Sequence, residues 1–119
     1  MEDKKLRVLI VEDSAALAEV YAGYLRDEPF VVTHVWDGTS AMSYLERSPP
    51  EALLLDLRLP DMDGMDILKH VHRQQMSTSV VIITGHGSVD AAVDAMRYGA
   101  FDFIEKPFNA KRLTVTLRN

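Results

Sequence analysis

Residues 6–14 read Leu6-Arg7-Val8-Leu9-Ile10-Val11-Glu12-Asp13-Ser14. Six residues, aliphatic apart from one Arg, form a short apolar run of strand length that two acids and a serine close. Directly beyond it, Leu17, Val20, Tyr21, Tyr24 and Leu25 recur at i, i+3, i+4, i+7 and i+8. That spacing puts them on one face of a helix, with Ser14 placed to cap it. A strand that runs straight into a helix is the first half of a β-α-β unit, and the same unit repeats along the chain.

Further apolar runs lie at Phe30–Val35, Ala52–Leu55, Val80–Thr84 and Phe101–Ile104. Trp36 with Asp37-Gly38 makes a strand-to-helix turn after the second run. Ala41 and Leu45 mark a short helix that stops before Pro49-Pro50. Ile67, Leu68, Val71 and Gln75 mark a third helix. Val89, Ala92, Val93 and Met96 mark a fourth, with Ser88 as cap, Asp90 in the first turn and Gly99 as stop. After the cap residue Asn109, Leu113, Val115 and Leu117 alternate with period two, as a strand would. The β-α alternation of the whole chain predicts a short helix there instead. Five strands alternating with helices pair in parallel through right-handed crossovers. Strands that are apolar throughout belong to a sheet covered on both faces. The predicted fold is a doubly wound α/β domain, a five-stranded parallel sheet flanked by helices.

The 119 residues suit one domain, which buries roughly two-thirds of its unfolded surface. Hydrophobic residues make up 47% and charged residues 26%, which excludes disordered and low-complexity classes. Thirteen Lys and Arg against 18 Asp and Glu give a net charge of −5. An acidic balance argues against general nucleic-acid binding and against a polybasic membrane surface. The absence of cysteine removes disulfides, thiolate metal sites and thiol catalysis. The first apolar run is too short for a membrane span or a signal peptide, so a cytoplasmic location is expected.

Ligands of open α/β sheets bind beyond the carboxyl ends of the strands. The first strand ends in Glu12-Asp13, the third in Asp56, the fourth in Thr84, and the fifth is followed by Lys106. Parallel pairing therefore aims three carboxylates, a hydroxyl and an ammonium at one edge. Two like charges about 4 Å apart cost on the order of 4 kcal/mol at an effective dielectric near 20. Lys106 offsets one of them, and a divalent cation would offset the rest. The donors are oxygens, which suits Mg²⁺ or Mn²⁺. A hard cation, a lysine and a hydroxyl around a carboxylate suit phosphoryl chemistry, with Asp56 at the cleft floor as acceptor. Singly, such residues usually cap turns or sit in solvent. It is the ordered set that points to chemistry.

That set resembles the response-regulator receiver domains of bacterial two-component signalling. The residues that carry the resemblance are Val11-Glu12-Asp13-Ser14, Leu55-Asp56-Leu57-Arg58-Leu59-Pro60-Asp61-Met62-Asp63-Gly64, Thr84-Gly85-His86-Gly87 and Glu105-Lys106-Pro107-Phe108. It implies a flavodoxin-like, CheY-like sheet of order 2-1-3-4-5 over residues 1–119, with Asp56 as phosphoacceptor. It further implies that Asp13 ligates Mg²⁺ directly, Glu12 through water, and that Asp56 and the Arg58 backbone carbonyl complete the protein ligands. Thr84 and Lys106 would each meet a phosphoryl oxygen. Phe103 matches the family's aromatic switch position, although core packing explains a phenylalanine there equally well. Lys106-Pro107 matches a bond that is often cis in the family. The implied donor is a sensor histidine kinase or a histidine phosphotransfer protein. The implied output is the face of the fourth helix, fifth strand and fifth helix, available for homodimerisation. Glu12 stands where Asp is commoner, and Arg58 and His86 occupy variable positions.

Thr84 to Ala92 and Met96 to Phe103 resemble the receivers of sigma-54-dependent transcriptional regulators, which carry AAA+ and DNA-binding domains as well. On that resemblance the chain is a receiver excised from a longer regulator and not an enzyme in its own right.

Three alternatives fit less well. A haloacid-dehalogenase-type aspartyl-phosphate phosphatase needs a second acid two residues after its nucleophile, where this chain has Arg58. A dinucleotide site at Gly85-His86-Gly87 would put Asp90 where its third glycine belongs. A phosphorylation-independent interaction module would be free to lose Asp56 or Lys106, and both are present. His70 and His72, at i and i+2 on a helix, point apart and make no metal pair. Met62 and Met65 are expected to cap the core edge beside the site.

Overall fold

The computed structural model describes residues 5–85 and 87–119. Its elements follow the order β1 (Leu6–Val11), α1 (Ala15–Tyr24), β2 (Phe30–Val35), α2 (Gly38–Arg47), β3 (Ala52–Asp56), α3 (Gly64–Arg73), β4 (Ser79–Thr84), α4 (Val89–Arg97), β5 (Asp102–Glu105) and α5 (Ala110–Arg118). The five strands form one sheet of order β2-β1-β3-β4-β5, and every pairing is parallel. Strand order therefore reverses beside β1 and β3, and the crevice at their carboxyl ends is where such sheets bind ligands.

Side chains alternate across a strand, and the core divides accordingly. Leu9, Val11, Leu53, Leu55, Val80 and Ile82 pack with Ala41 and Leu45 of α2, Ile67, Leu68 and Val71 of α3, and Ala95 of α4. Val8, Ile10, Leu54, Val81, Ile83 and Ile104 pack on the other face with Ala18, Tyr21 and Leu25 at α1 and Leu113 of α5. Each fully buried Leu or Ile contributes about 1.5–3 kcal/mol relative to exposure.

The helix caps foreseen at Ser14, Ser88 and Asn109 each accept a first-turn backbone N–H. Asp37 and Asp63 cap α2 and α3 in the same way. Gly99 has φ 82°, the left-handed conformation that ends a helix at glycine. Lys106-Pro107 is cis.

The helical stripes need correcting. On α4, Val89, Val93 and Met96 face solvent, Val89 with 79% of its surface exposed. The helix packs instead through Ala95, with Ala91 and Ala92 half-buried. Small residues let it lie close to the sheet, and the larger apolar side chains are left outside. On α1, Leu17 and Val20 are likewise exposed, and the inward stripe is Ala18, Tyr21 and Leu25. Gln75 lies beyond α3, exposed and with φ 52°, so it does not extend that helix's apolar face.

The strand bounds also shift. β5 runs Asp102–Glu105, and Phe101, half exposed, precedes it while still donating its N–H to Val80 O of β4 at 2.7 Å. β3 includes Asp56, and β4 starts at Ser79, whose N–H bonds Glu51 O at 2.9 Å. α5 is a helix despite its period-two residues. Leu113 and Thr116 are its buried positions, and Val115 points outward. Among the described residues no helix is long and apolar enough to cross a membrane.

Candidate functional site

Parallel pairing sets the ends of β1 and β3 side by side, with Val11 opposite Leu55. The residues that follow, Glu12 and Asp13 on one strand and Asp56 on the other, therefore meet. Each offers a carboxylate oxygen, and these lie within 4.8 Å of one another. Glu12 is 1% exposed and Asp56 5%, whereas Asp13 is exposed at the rim.

Lys106 closes the cluster from beyond β5. Its Nζ donates to Glu12 Oε1 and to Asp56 Oδ2, each at 2.7 Å. The Lys106 N–H donates to the Thr84 carbonyl at 2.9 Å, which fixes the residue against β4. Tyr21 stacks on Phe108, with ring centroids 5.0 Å apart, and pins the segment that follows.

The second carboxylate oxygens of Glu12 and Asp56 have backbone donors. Ser14 N–H donates to Glu12 Oε2 at 3.1 Å and Arg58 N–H to Asp56 Oδ1 at 2.9 Å. Burial pushes the Glu12 carboxyl above its usual value, opposed by the Lys106 hydrogen bond. Burial would lower the Lys106 ammonium, but its bonds to Asp56 and Glu12 outweigh that and raise it. Burial also raises the Tyr21 phenol.

With all groups charged, three carboxylates and one ammonium leave the cluster at about −2, a strong field in a partly buried crevice. Oxygen donors, anionic excess and an open side at Asp13 fit a hard divalent cation such as Mg²⁺.

Not every residue singled out in the sequence joins this cluster. Thr84 is buried at the end of β4 and lines an adjoining groove with Arg58, Met62, Met65 and Lys69. Phe103 is half-buried on β5 and packs against the core beneath α2 to α4, where a Cβ at Gly87 would crowd its ring. Met62 and Met65 pack against the core edge as anticipated. His86 lies outside the described residues.

Two contacts escaped sequence reasoning. His34 Nε2 lies 2.8 Å from the Glu12 carbonyl oxygen, and its ring sits against Trp36 at 4.2 Å. Asp61 accepts from Gly38 N–H, Thr39 N–H and the Thr39 hydroxyl. Sequence carries a faint signal for the second only, an acid in a loop and a helix start with free N–H groups.

The profile of the response regulator receiver domain family matches residues 8–118. The regulatory protein LuxO of Vibrio cholerae is 46% identical over 110 residues, covering 92% of this chain and 24% of that protein. An NtrX-like response regulator of Rickettsia felis is 37% identical over 116 residues, covering 96% and 24%. The chain spans about a quarter of the length of these curated relatives. A signal receiver domain of Vibrio parahaemolyticus, described as that of a LuxO repressor protein, superposes with TM-score 0.94 at 48% identity, covering 97% of this chain and 88% of that one. NtrX from Brucella abortus, crystallised with ADP, gives TM-score 0.86 at 35% identity, covering 97% and 26%. With the profile running from Val8 to Arg118 and relatives this similar over nearly the whole chain, the protein belongs to the receiver-domain family of two-component response regulators.

Proposed function

We propose that this receiver accepts a phosphoryl group on Asp56 from a sensor histidine kinase or a histidine phosphotransfer protein. The observation that carries the reading is Asp56 at the floor of an acidic crevice, fixed by Lys106 on one oxygen and the Arg58 N–H on the other. A carboxylate oxygen of Asp56 attacks phosphorus in line. The new P–O bond forms as the P–N bond to the donor imidazole breaks, and the imidazole keeps the electron pair and a proton. Glu12, Asp13, Asp56 and the Arg58 carbonyl would hold Mg²⁺ or Mn²⁺, which supplies positive charge that steadies the phosphoryl oxygens. Lys106 then passes from the carboxylate to a phosphoryl oxygen, and the Thr84 hydroxyl meets another. The chain catalyses only its own phosphorylation and dephosphorylation.

Phosphorylation biases a pre-existing equilibrium at the α4–β5–α5 face, with Phe103 moving as Thr84 does. The exposure of Val89, Val93, Met96, Phe101 and Val115 supports that face as the one that homodimerises or meets an output domain. The similarity to LuxO and NtrX-like regulators supports residues 1–119 of this chain as the receiver domain of a longer cytoplasmic regulator. By resemblance its output would be sigma-54-dependent transcription, driven by AAA+ and DNA-binding domains. Incubation with Mg²⁺ and a small acyl-phosphate donor should add one phosphoryl group to the wild type by intact mass and none to Asp56→Asn. Equal labelling of both would remove Asp56 from the mechanism.

A further inference from the structure

We propose that Asp61 is a positioning residue for the cation site, tying the loop that presents the Arg58 carbonyl to the N-terminus of α2. The proposal rests on the metal role given above to Asp56 and Arg58. A carboxylate ligand can turn on its own side-chain torsions. A backbone carbonyl cannot, and its aim is the aim of its peptide plane. The Arg58 carbonyl is therefore only as well directed as the loop from Leu57 to Gly64.

That loop is anchored at two places. Its base is closed by the Gly64 N–H bond to Leu57 O at 2.8 Å and by an antiparallel backbone β-bridge between Arg58 and Asp63. Gly64 is seated against β3 so closely that a Cβ would collide with the Asp56 carbonyl. Its tip is held by Asp61. Oδ1 accepts from Gly38 N–H at 2.8 Å, and Oδ2 accepts from Thr39 N–H at 2.8 Å and Thr39 Oγ1 at 2.6 Å. Met62, beside it, lies over Gly38, where a Cβ would strike its side chain.

The α2 end is well matched to this task. The N–H groups of its first three residues have no partners within the helix, whose own ladder begins at Ala41. Gly38 and Thr39 donate to Asp61, Ser40 to Asp37 Oδ1 at 2.7 Å, and Ala41 to Asp37 O at 3.2 Å. Asp37 alone is the ordinary local cap. Asp61 comes from another element, 22 residues from Thr39, and is not needed to start the helix. The Thr39 hydroxyl and then the two N–H groups hold its carboxyl down at about 2, so it is ionised whenever the protein is folded near neutrality.

Mg²⁺ titrated by calorimetry into the wild type, Asp61→Ala, Asp61→Asn and Asp37→Ala tests this. Asp61→Ala should weaken Mg²⁺ binding by about tenfold, the low end of what losing an outer-shell partner costs a metal site. Asp61→Asn, which keeps one acceptor oxygen, should fall between. Asp37→Ala removes a cap of the same helix without touching the loop and should bind Mg²⁺ as the wild type does. Coupling is reciprocal, so Mg²⁺ should also slow hydrogen exchange at the Gly38 and Thr39 amides of the wild type. Wild-type affinity in Asp61→Ala, equal weakening in Asp37→Ala, or unchanged exchange at Gly38 and Thr39 would each overturn the proposal. A wild type that binds no Mg²⁺ would overturn the functional reading beneath it.

Discussion

At the residue scale the site holds more like charge than it neutralises. Lys106 is shared between Glu12 and Asp56, and Asp13 adds a third carboxylate at the rim. Active sites often keep such unfavourable arrangements at the expense of stability. Asp56→Asn would retain an acceptor for the Arg58 N–H and leave Lys106 paired with Glu12, while removing one anion from the cluster. Without added metal it should be more stable than the wild type, by about 1 kcal/mol, a fraction of the repulsion between two charges at this range. Urea denaturation of the two proteins measures this. A less stable Asp56→Asn would mean that the Lys106–Asp56 attraction exceeds the repulsion. The members of this cluster were legible in the sequence because parallel strands must bring their carboxyl ends together. His34 on the Glu12 carbonyl and Asp61 on α2 were not, since each depends on a side chain reaching across to another element.

At the element scale the two edge helices differ in how they are held. α5 is joined to β5 through Asp102, which accepts from Arg112 Nη1 at 2.9 Å, Thr116 Oγ1 at 2.8 Å and its neighbour Phe103 N–H at 2.7 Å. Burial would raise the Asp102 carboxyl, but the Arg112 and Thr116 bonds prevail and lower it. A carboxyl lowered on folding stabilises above its unfolded pKa, and the contribution is lost as pH falls through the folded pKa. Asp102→Asn should therefore cost about 0.5–1 kcal/mol at neutral pH, discounted for the half-exposed Arg112. The gap to wild type should close as pH drops below the ordinary carboxylate range, as thermal melts across an acid series would record. A gap that persists in acid would assign the loss to packing. Among the described residues α4 has no comparable tie to β5. It rests on Ala91, Ala92 and Ala95, so of the predicted stripe only Ala92 turns inward, and the larger Val89, Val93 and Met96 face solvent. Period-two spacing at α5 pointed to a strand, whereas the segment is the helix that β-α alternation predicts, with Thr116 rather than Val115 facing inward. At α5 the topology argument, that a parallel sheet needs a covering helix at each step, outperformed local periodicity. At α4 both gave a helix, and only its inward face was misread.

At the scale of the whole molecule, the fold is a sheet whose two faces carry separate cores, and the crevice at its carboxyl edge gathers carboxylates that Lys106 neutralises only in part. The chain's topology was legible because the central strands are apolar on both faces, as Val8 and Ile10 against Leu9 and Val11 illustrate. Since the crevice joins β1, β3 and the segment after β5, a cation held there clamps the entire sheet. Binding to the folded state alone adds about 2.7 kcal/mol when free ligand is a hundredfold above Kd. For a domain of this size that corresponds to a rise in Tm on the order of 10 °C. Asp13 is exposed, so Asp13→Ala should alter stability without metal by no more than about 0.5 kcal/mol. It should nevertheless lose most of the Mg²⁺-dependent rise, because the open side of the cluster goes with it. Calorimetric melts with and without Mg²⁺, against a potassium control at equal ionic strength, separate the two effects. A rise of the same size in Asp13→Ala would mean that Mg²⁺ acts elsewhere on an acidic surface and not in the crevice between β1 and β3.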